Sequence, residues 1–84
     1  MKKITIYTGP MCNYCEAAKR LLTRNKVIFN EINIATVKGA IDEMIKKANG
    51  KRTIPQIFFD DQHIGGYDEI RALEKENKLQ DLLK

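Results

Sequence analysis

Two cysteines, Cys12 and Cys15, lie where a strand pattern changes into a helical pattern. Residues 4–7 alternate β-branched and aromatic side chains, which is typical of a strand, and a Gly-Pro pair then ends the pattern. Over residues 13–25 the apolar side chains, Cys15 among them, recur at helical spacing. The chain is therefore predicted to form a strand, a short loop and a helix that begins within the cysteine motif.

The remaining strand patterns define the predicted topology. Strands are predicted over residues 27–34, 56–59 and 63–64, and the last two are close enough to form a hairpin. With the helices, the order is βαβ-α-ββ-α. A βαβ unit has parallel strands joined by a right-handed crossover, whereas a hairpin is antiparallel. We expect an α/β fold, a four-stranded mixed sheet with helices packed on it.

Two more helical regions follow the first one. The clearest amphipathic pattern covers residues 37–48, with Thr36 as its predicted N-cap and Ile41, Met44 and Ile45 expected in the core. Asp68 is the predicted cap of a final helical region. Its apolar residues are Ile70, Leu73, Leu79, Leu82 and Leu83.

The size and charge of the chain restrict its class. Eighty-four residues are expected to form one domain over residues 1–84. No apolar stretch approaches the roughly 18 residues of a membrane span, and no hydrophobic targeting segment follows Lys2 and Lys3, so we expect a cytosolic protein with no membrane partner. A net charge of +4 is a mild bias that does not select nucleic acid over a small acidic substrate.

The spacing of the cysteines favours reactivity over a structural role. A disulfide between Cys12 and Cys15 closes so short a loop that it contributes only about 2 kcal/mol before strain. At a helix start, unpaired N–H groups and the dipole favour an anion, here the Cys12 thiolate. Cys15, one turn into the helix, is expected to be less exposed. Cys12 would then attack a disulfide, and Cys15 would resolve the mixed disulfide that forms.

Other chemistry of the cysteine pair fits less well. Two inert core cysteines are disfavoured because Cys12 follows a Gly-Pro turn and is hard to bury. A zinc site needs four ligands, and the chain offers two thiolates and the distant His63. A copper carrier has a methionine two positions before its first cysteine, where this chain has Pro10, and Met11 is out of register. We therefore expect no metal ligands.

Three motifs together resemble the glutaredoxin family. They are Cys-Asn-Tyr-Cys at residues 12–15, Thr-Ile-Pro at residues 53–55 and Gly-Gly-Tyr-Asp at residues 65–68, and the resemblance covers nearly the whole chain. It implies a thioredoxin-like fold and a glutathione-dependent oxidoreductase that reduces protein disulfides and protein–glutathione mixed disulfides. It implies glutathione as co-substrate, no tightly bound cofactor and a monomer. Its other partners would be disulfide-containing or glutathionylated proteins, with ribonucleotide reductase as a candidate client.

The resemblance also implies a role for each site residue. Cys12 would be the nucleophile, Cys15 the resolving thiol, and Pro55 would follow a cis peptide bond. The glutathione-binding residues would be Tyr14, Arg52, Thr53, Ile54, Pro55, Gly66, Tyr67 and Asp68. Among them, Ile54 would pair with the peptide in a strand-like manner, and Arg52 would meet the glycyl carboxylate, with Lys51 or Lys38 as substitutes.

The chain departs from the family pattern at two positions, and rival functions stay open. Asn13 stands where many members have proline, and Gly9 where many have lysine, which bears on reduction potential and affinity. One alternative is a redoxin reduced by a thioredoxin-type reductase. Another is a carrier that binds an iron–sulfur cluster through Cys12 and glutathione thiols, although cluster-binding relatives usually have Cys-Gly-Phe-Ser.

Overall fold

The computed structural model describes residues 2–83 and has the predicted order of elements, except that two helices instead of one follow the last strand. The strands are β1 (Ile4–Thr8), β2 (Phe29–Asn33), β3 (Gln56–Phe59) and β4 (Gln62–Gly65). The helices are α1 (Asn13–Arg24), α2 (Ala40–Lys47), α3 (Tyr67–Lys75) and α4 (Leu79–Leu83). Within residues 2–83, no helix is long and apolar enough to cross a membrane.

The four strands form one mixed sheet in the order β2-β1-β3-β4. Strand β1 is parallel to β2 and antiparallel to β3, and β3 and β4 form an antiparallel hairpin. The predicted mixed sheet is therefore confirmed. Helix α1 makes the crossover between β1 and β2, which places its N-terminus at the end of the central strand, where the sheet positions the two cysteines.

Side chains alternate between two cores on opposite faces of the sheet. On β1, Ile4 and Ile6 pack with α1, α3 and α4, while Tyr7 packs on the other face with Met44 of α2. Strand β3 divides its side chains in the same way. The central strands are buried on both faces because helices cover both sides of the sheet. The first core also includes Ala18, Leu21, Leu22, Ile57, Phe59, Ile70, Leu79 and Leu83.

The start of α2 differs from the prediction. Thr36 is not an N-cap, because the helix begins at Ala40 after Gly39, whose φ is 80°. The chain after β2 instead forms a turn around Asn33. The Asn33 carbonyl accepts from the N–H groups of Thr36 at 3.1 Å and Val37 at 3.0 Å, and its side chain accepts from residue 35 at 2.8 Å. An Asn side chain competes with a helix for nearby backbone donors, which delays the helix by one turn.

The buried stripe of α2 also differs from the prediction. Ala40, Met44 and Ala48, spaced four residues apart, are fully buried, whereas Ile41 is 47% exposed and Ile45 is half-buried. Ile41 is one position after the stripe and so lies at its border. The prediction that Ile41 belongs to the core was wrong, because α2 packs on the sheet through the stripe of Ala40, Met44 and Ala48.

Three more boundaries were wrong. The predicted final helical region is divided into α3 and α4 by a turn at Asn77, whose φ is 60°. Asp68 does not cap it, because the N-cap is Gly66 and Asp68 lies in the first turn of α3. The second strand, β2, is shorter than residues 27–34.

Candidate functional site

Cys12 is the N-cap of α1 and forms a disulfide with Cys15. The Cys15 N–H points at Cys12 Sγ, with 3.1 Å between nitrogen and sulfur. Cys12 is partly exposed, whereas Cys15 is fully buried with Ala18 and Leu22 in the helix face that packs on the sheet. A substrate can therefore approach Cys12 directly, and Cys15 is accessible mainly to Cys12 itself.

The segment before β3 forms the second wall of the site. The Ile54–Pro55 peptide bond is cis, as the family resemblance implies. The carbonyl oxygen of Ile54 lies 3.9 Å from Cys12 Sγ. On the other side, a Cβ atom at Gly9 would lie 2.7 Å from Ile54 Cδ1, so glycine lets the loop before Cys12 pack closely against Ile54. A residue with a side chain at position 9, such as the lysine of many family members, would therefore require Ile54 to shift.

A groove of about 250 Å³ has Ile54 in its wall, and through the Ile54 carbonyl it reaches to within 3.9 Å of Cys12 Sγ, although Cys12 itself does not line it. Tyr14, which is 64% exposed, lines this groove, and its ring centroid lies 5.9 Å from that of Tyr67. The lining residues are Tyr14, Thr53, Ile54, Pro55, Gly66, Tyr67, Asp68 and Glu69. The groove thus brings together seven of the eight residues predicted to bind a ligand, from three segments that are distant in the sequence.

The beginning of α3 gives the groove its polarity. The Glu69 carboxylate folds back and accepts a hydrogen bond from the Gly66 N–H at 2.6 Å. The next N–H groups, of Tyr67 and Asp68, belong to a helix start and have no partner within the helix. These donors suit a ligand carboxylate, while the carboxylates of Asp68 and Glu69 suit an ammonium group. A zwitterionic amino-acid group matches this arrangement.

The predicted basic residue lies outside the groove. Arg52 is exposed and is not one of the residues that line it. Lys51 is exposed as well, and Lys38 borders a separate hollow formed by residues 34–42. A sequence has no pattern that selects one of several exposed cations.

The sequence reasoning missed two residues near the site. Glu69 has a recognisable signal, since it follows the N-cap Gly66 by three residues, which is capping-box spacing. Gln56, buried directly after Pro55, has none. No group of three or more potential metal-ligating side chains of His, Cys, Asp or Glu occurs in the part of the chain that the structure describes.

Comparisons with known proteins agree with this geometry. The family model "Glutaredoxin" matches residues 4–64. Glutaredoxin 3 of Escherichia coli (strain K12) is 45% identical over 84 residues, which cover 100% of both chains. The solution structure of a glutaredoxin from Brucella melitensis has a TM-score of 0.85 and 45% identity, with 100% of this chain and 90% of that chain covered.

A third similar protein was solved with a ligand. The crystal structure of a buckwheat glutaredoxin–glutathione complex has a TM-score of 0.85 and 25% identity, with 98% of this chain and 76% of that chain covered. The fold is thus the thioredoxin-like fold of these neighbours. Since both the family model and the full-length relative match, the chain belongs to the glutaredoxin family of thiol–disulfide oxidoreductases and carries its CxxC dithiol.

Proposed function

We propose that this protein is a dithiol glutaredoxin that reduces protein disulfides and protein–glutathione mixed disulfides with glutathione as co-substrate. The observation that carries the proposal is the groove between Tyr14, residues 53–55 and the start of α3, whose lining residue Ile54 has its carbonyl oxygen 3.9 Å from Cys12 Sγ. The buckwheat relative, which was solved in complex with glutathione, supports this choice of ligand.

The polar groups of the groove match the γ-glutamyl and cysteinyl parts of glutathione. The γ-glutamyl carboxylate would accept from the backbone N–H groups of Tyr67 and Asp68, and its ammonium would meet the Asp68 carboxylate. The cysteinyl residue would pair with the backbone of Ile54, as an extended peptide pairs with exposed strand groups. Tyr14 would cover the ligand, and Arg52 remains the proposed partner of the glycyl carboxylate. This pose brings the glutathione sulfur toward Cys12.

A mixed disulfide is reduced in two exchange steps. The Cys12 thiolate attacks the glutathione sulfur, the bond to the substrate protein breaks, and the protein sulfur leaves as a thiolate that takes up a proton. A second glutathione thiolate then attacks the glutathione sulfur bound to Cys12. This step releases oxidised glutathione and regenerates the Cys12 thiolate, so the net reaction converts the mixed disulfide and one free glutathione into the protein thiol and oxidised glutathione.

A protein disulfide needs the second cysteine. Cys12 attacks one sulfur of the substrate and releases the other, which leaves a mixed disulfide between protein and enzyme. Cys15 then attacks Cys12 Sγ, and the substrate leaves with both sulfurs reduced. The product is the Cys12–Cys15 disulfide, and two glutathiones reduce it again. The burial of Cys15 supports this order because only Cys12 is open to a large substrate.

The proposed working unit is one domain of residues 1–84 that acts as a monomer. Its reaction needs only thiols, so no tightly bound cofactor is proposed. We place it in the cytoplasm, where glutathione keeps thiols reduced. Its clients would be disulfide-containing or glutathionylated proteins, and ribonucleotide reductase is one candidate.

The test is turnover of a glutathione mixed disulfide in the presence of glutathione, glutathione reductase and NADPH. Cys12→Ser should lose all turnover, because the thiol that remains, that of Cys15, is buried and out of reach of the substrate. Cys15→Ser should keep turnover of the glutathione mixed disulfide and lose reduction of a protein disulfide. The double serine variant gives the background rate, and circular dichroism checks that all variants are folded.

Two results would contradict the proposal. The first is a folded wild-type protein that is silent with glutathione but active with a thioredoxin-type reductase, which would make it a reductase-fed redoxin. The second is silence with both reductants together with visible absorption from an iron–sulfur cluster after anaerobic purification.

A further inference from the structure

The only histidine of the chain is joined to the groove through a buried glutamine. Gln56, the first residue of β3, is only 2% exposed. Its amide nitrogen donates to the Thr53 carbonyl at 2.9 Å and lies 3.1 Å from the Thr53 hydroxyl oxygen. On its other side, Gln56 Oε1 lies 2.6 Å from His63 Nε2. A chain of hydrogen bonds thus runs from β4 through β3 to the wall of the groove.

The direction of these hydrogen bonds is fixed by the Thr53 carbonyl. A carbonyl oxygen can only accept, so the NH₂ end of Gln56 faces Thr53 and the oxygen end faces His63. His63 Nε2 must therefore carry a proton and donate it. The imidazole ring is held in place against the Phe58 ring, with 5.1 Å between the two centroids.

The charges around His63 are compatible with an Nε2 that donates to Gln56. Burial and the positive charge of Lys51 lower the pKa of His63, while Glu69 opposes the shift. The ring is then neutral near pH 7, and its single proton is on Nε2, where Gln56 accepts it. The imidazolium form also has a proton on Nε2, so the donor persists when the ring is protonated.

The consequence for the groove follows from the planar peptide group. The Thr53 carbonyl and the Ile54 N–H belong to one trans peptide unit and point in opposite directions. Gln56 holds the Thr53 carbonyl oxygen on the side of this peptide unit that faces the protein interior. The Ile54 N–H therefore points away from Gln56, and Thr53 and Ile54 line the groove whereas Gln56 does not.

We propose that His63 is a positioning residue that acts through Gln56 to orient the Thr53–Ile54 peptide for hydrogen bonding with the extended backbone of the substrate. The identity of that substrate as a glutathione mixed disulfide rests on the proposed function. The orientation of the peptide does not, since it depends only on contacts within the chain.

The first test separates substrate binding from turnover. His63→Phe keeps a ring against Phe58 but removes the donor, and His63→Gln restores a donor at a similar reach. Loss of one hydrogen bond should raise the KM for the mixed disulfide about three- to tenfold in His63→Phe, with kcat within about twofold. His63→Gln should restore KM to within about twofold of wild type on the same scale. Gln56→Met, which removes the link at similar volume, should raise KM at least as much as His63→Phe.

The second test needs no substrate. In ¹H–¹⁵N spectra of the free protein, His63→Phe should shift the Ile54 backbone amide and speed the exchange of the Gln56 side-chain NH₂ group, and His63→Gln should reverse both. Gln62→Ala, an exposed change on the same strand, is the control and should do neither.

The outcomes distinguish positioning from packing. If the KM of active His63→Phe protein stays unchanged, the positioning role is contradicted. A lower melting temperature, with the KM and the Ile54 amide both unchanged, would mean that His63 only packs. If the wild type shows no glutathione-dependent turnover, the proposed function fails, and the Ile54 amide decides the positioning role alone.

Discussion

At the scale of single residues, Gly65 is the position where the backbone most clearly requires glycine. Its φ is 128°, which other residues rarely adopt, and a Cβ there would lie 2.6 Å from Glu69 Oε1 and 2.7 Å from Glu69 Cγ. Glu69 occupies this space because it folds back to accept from the Gly66 N–H. Gly65 therefore makes room for the side chain that caps α3 and lines the groove.

Gly65→Ala tests this link between turn and helix cap. Backbone strain of about 1–3 kcal/mol and loss of roughly 1 kcal/mol of capping should both lower the free energy of unfolding. Gly50→Ala is the matched control, since φ there is 90° but nothing lies within 4 Å of the added Cβ. Chemical denaturation should show the larger loss for Gly65→Ala. Equal losses in the two variants would mean that the contact with Glu69 contributes nothing.

Sequence reasoning reached some site residues and not others for a physical reason. The role of Cys12 could be inferred from the local sequence, because Cys12 lies between the end of a strand and the start of a helix. Gln56 and His63 are seven residues apart on neighbouring strands, and they meet because of the register of the β3–β4 hairpin. The spacing of residues in the sequence does not predict such a pair, because the bulge between Ile57 and Phe58 alters the register of the hairpin.

At the scale of elements, a charged cluster ties the end of α1 to α3. Arg24 donates twice to the Glu74 carboxylate, at 2.9 Å from Nε and 2.7 Å from Nη2. Asn25 Nδ2 donates to the same carboxylate at 2.6 Å. These bonds, chiefly that from Arg24, lower the pKa of Glu74 from 4.5 to about 2. The carboxylate thus stays charged in the folded protein under conditions that protonate it in the unfolded chain.

The pH dependence of stability follows from this shift. Because the folded pKa of Glu74 is the lower one, its contribution is fully present above pH 4.5 and is lost as the pH falls toward about 2. Glu74→Gln should therefore reduce stability at pH 7, and its difference from wild type should shrink over that window. Glu76→Gln, which removes only an exposed pair with Lys78, is the control and should have little effect. Urea denaturation from pH 7 to pH 2.5 measures both. A difference that stays constant with pH would contradict the assignment.

Element boundaries show where local patterns are insufficient. The pattern over residues 37–48 is helical throughout, yet α2 begins only at Ala40 because Asn33 binds the backbone N–H groups of the preceding turn. For α1, the helical pattern alone was sufficient to predict where the helix begins, because its apolar face packs directly on the sheet. A helix start that depends on a turn from the previous strand cannot be read from the helix alone.

At the scale of the whole molecule, the fold assembles one site from three distant segments. Residues 12–15 begin α1, residues 53–55 precede β3, and residues 66–69 begin α3. The mixed sheet brings all three to one end, because β1 and β3 are antiparallel neighbours and the strand β4 leads into α3. The order of elements and the sheet type were predictable. Seven of the eight residues that line the groove were implied by the family resemblance, whereas Glu69 was missed because its place depends on the way its side chain folds back to the start of α3.

The central claim is that Cys12 exchanges with glutathione held in this groove, and a trapped intermediate tests it most directly. Cys15→Ser, incubated with oxidised glutathione, cannot resolve the mixed disulfide. Intact mass and peptide mapping should find one glutathionyl group per chain, on Cys12, and amide spectra should show shifts at Ile54, Tyr67 and Asp68. Cys12→Ser should gain no adduct under the same conditions because Cys15 is buried. An unmodified Cys15→Ser protein, or an adduct without shifts along the groove, would contradict the account.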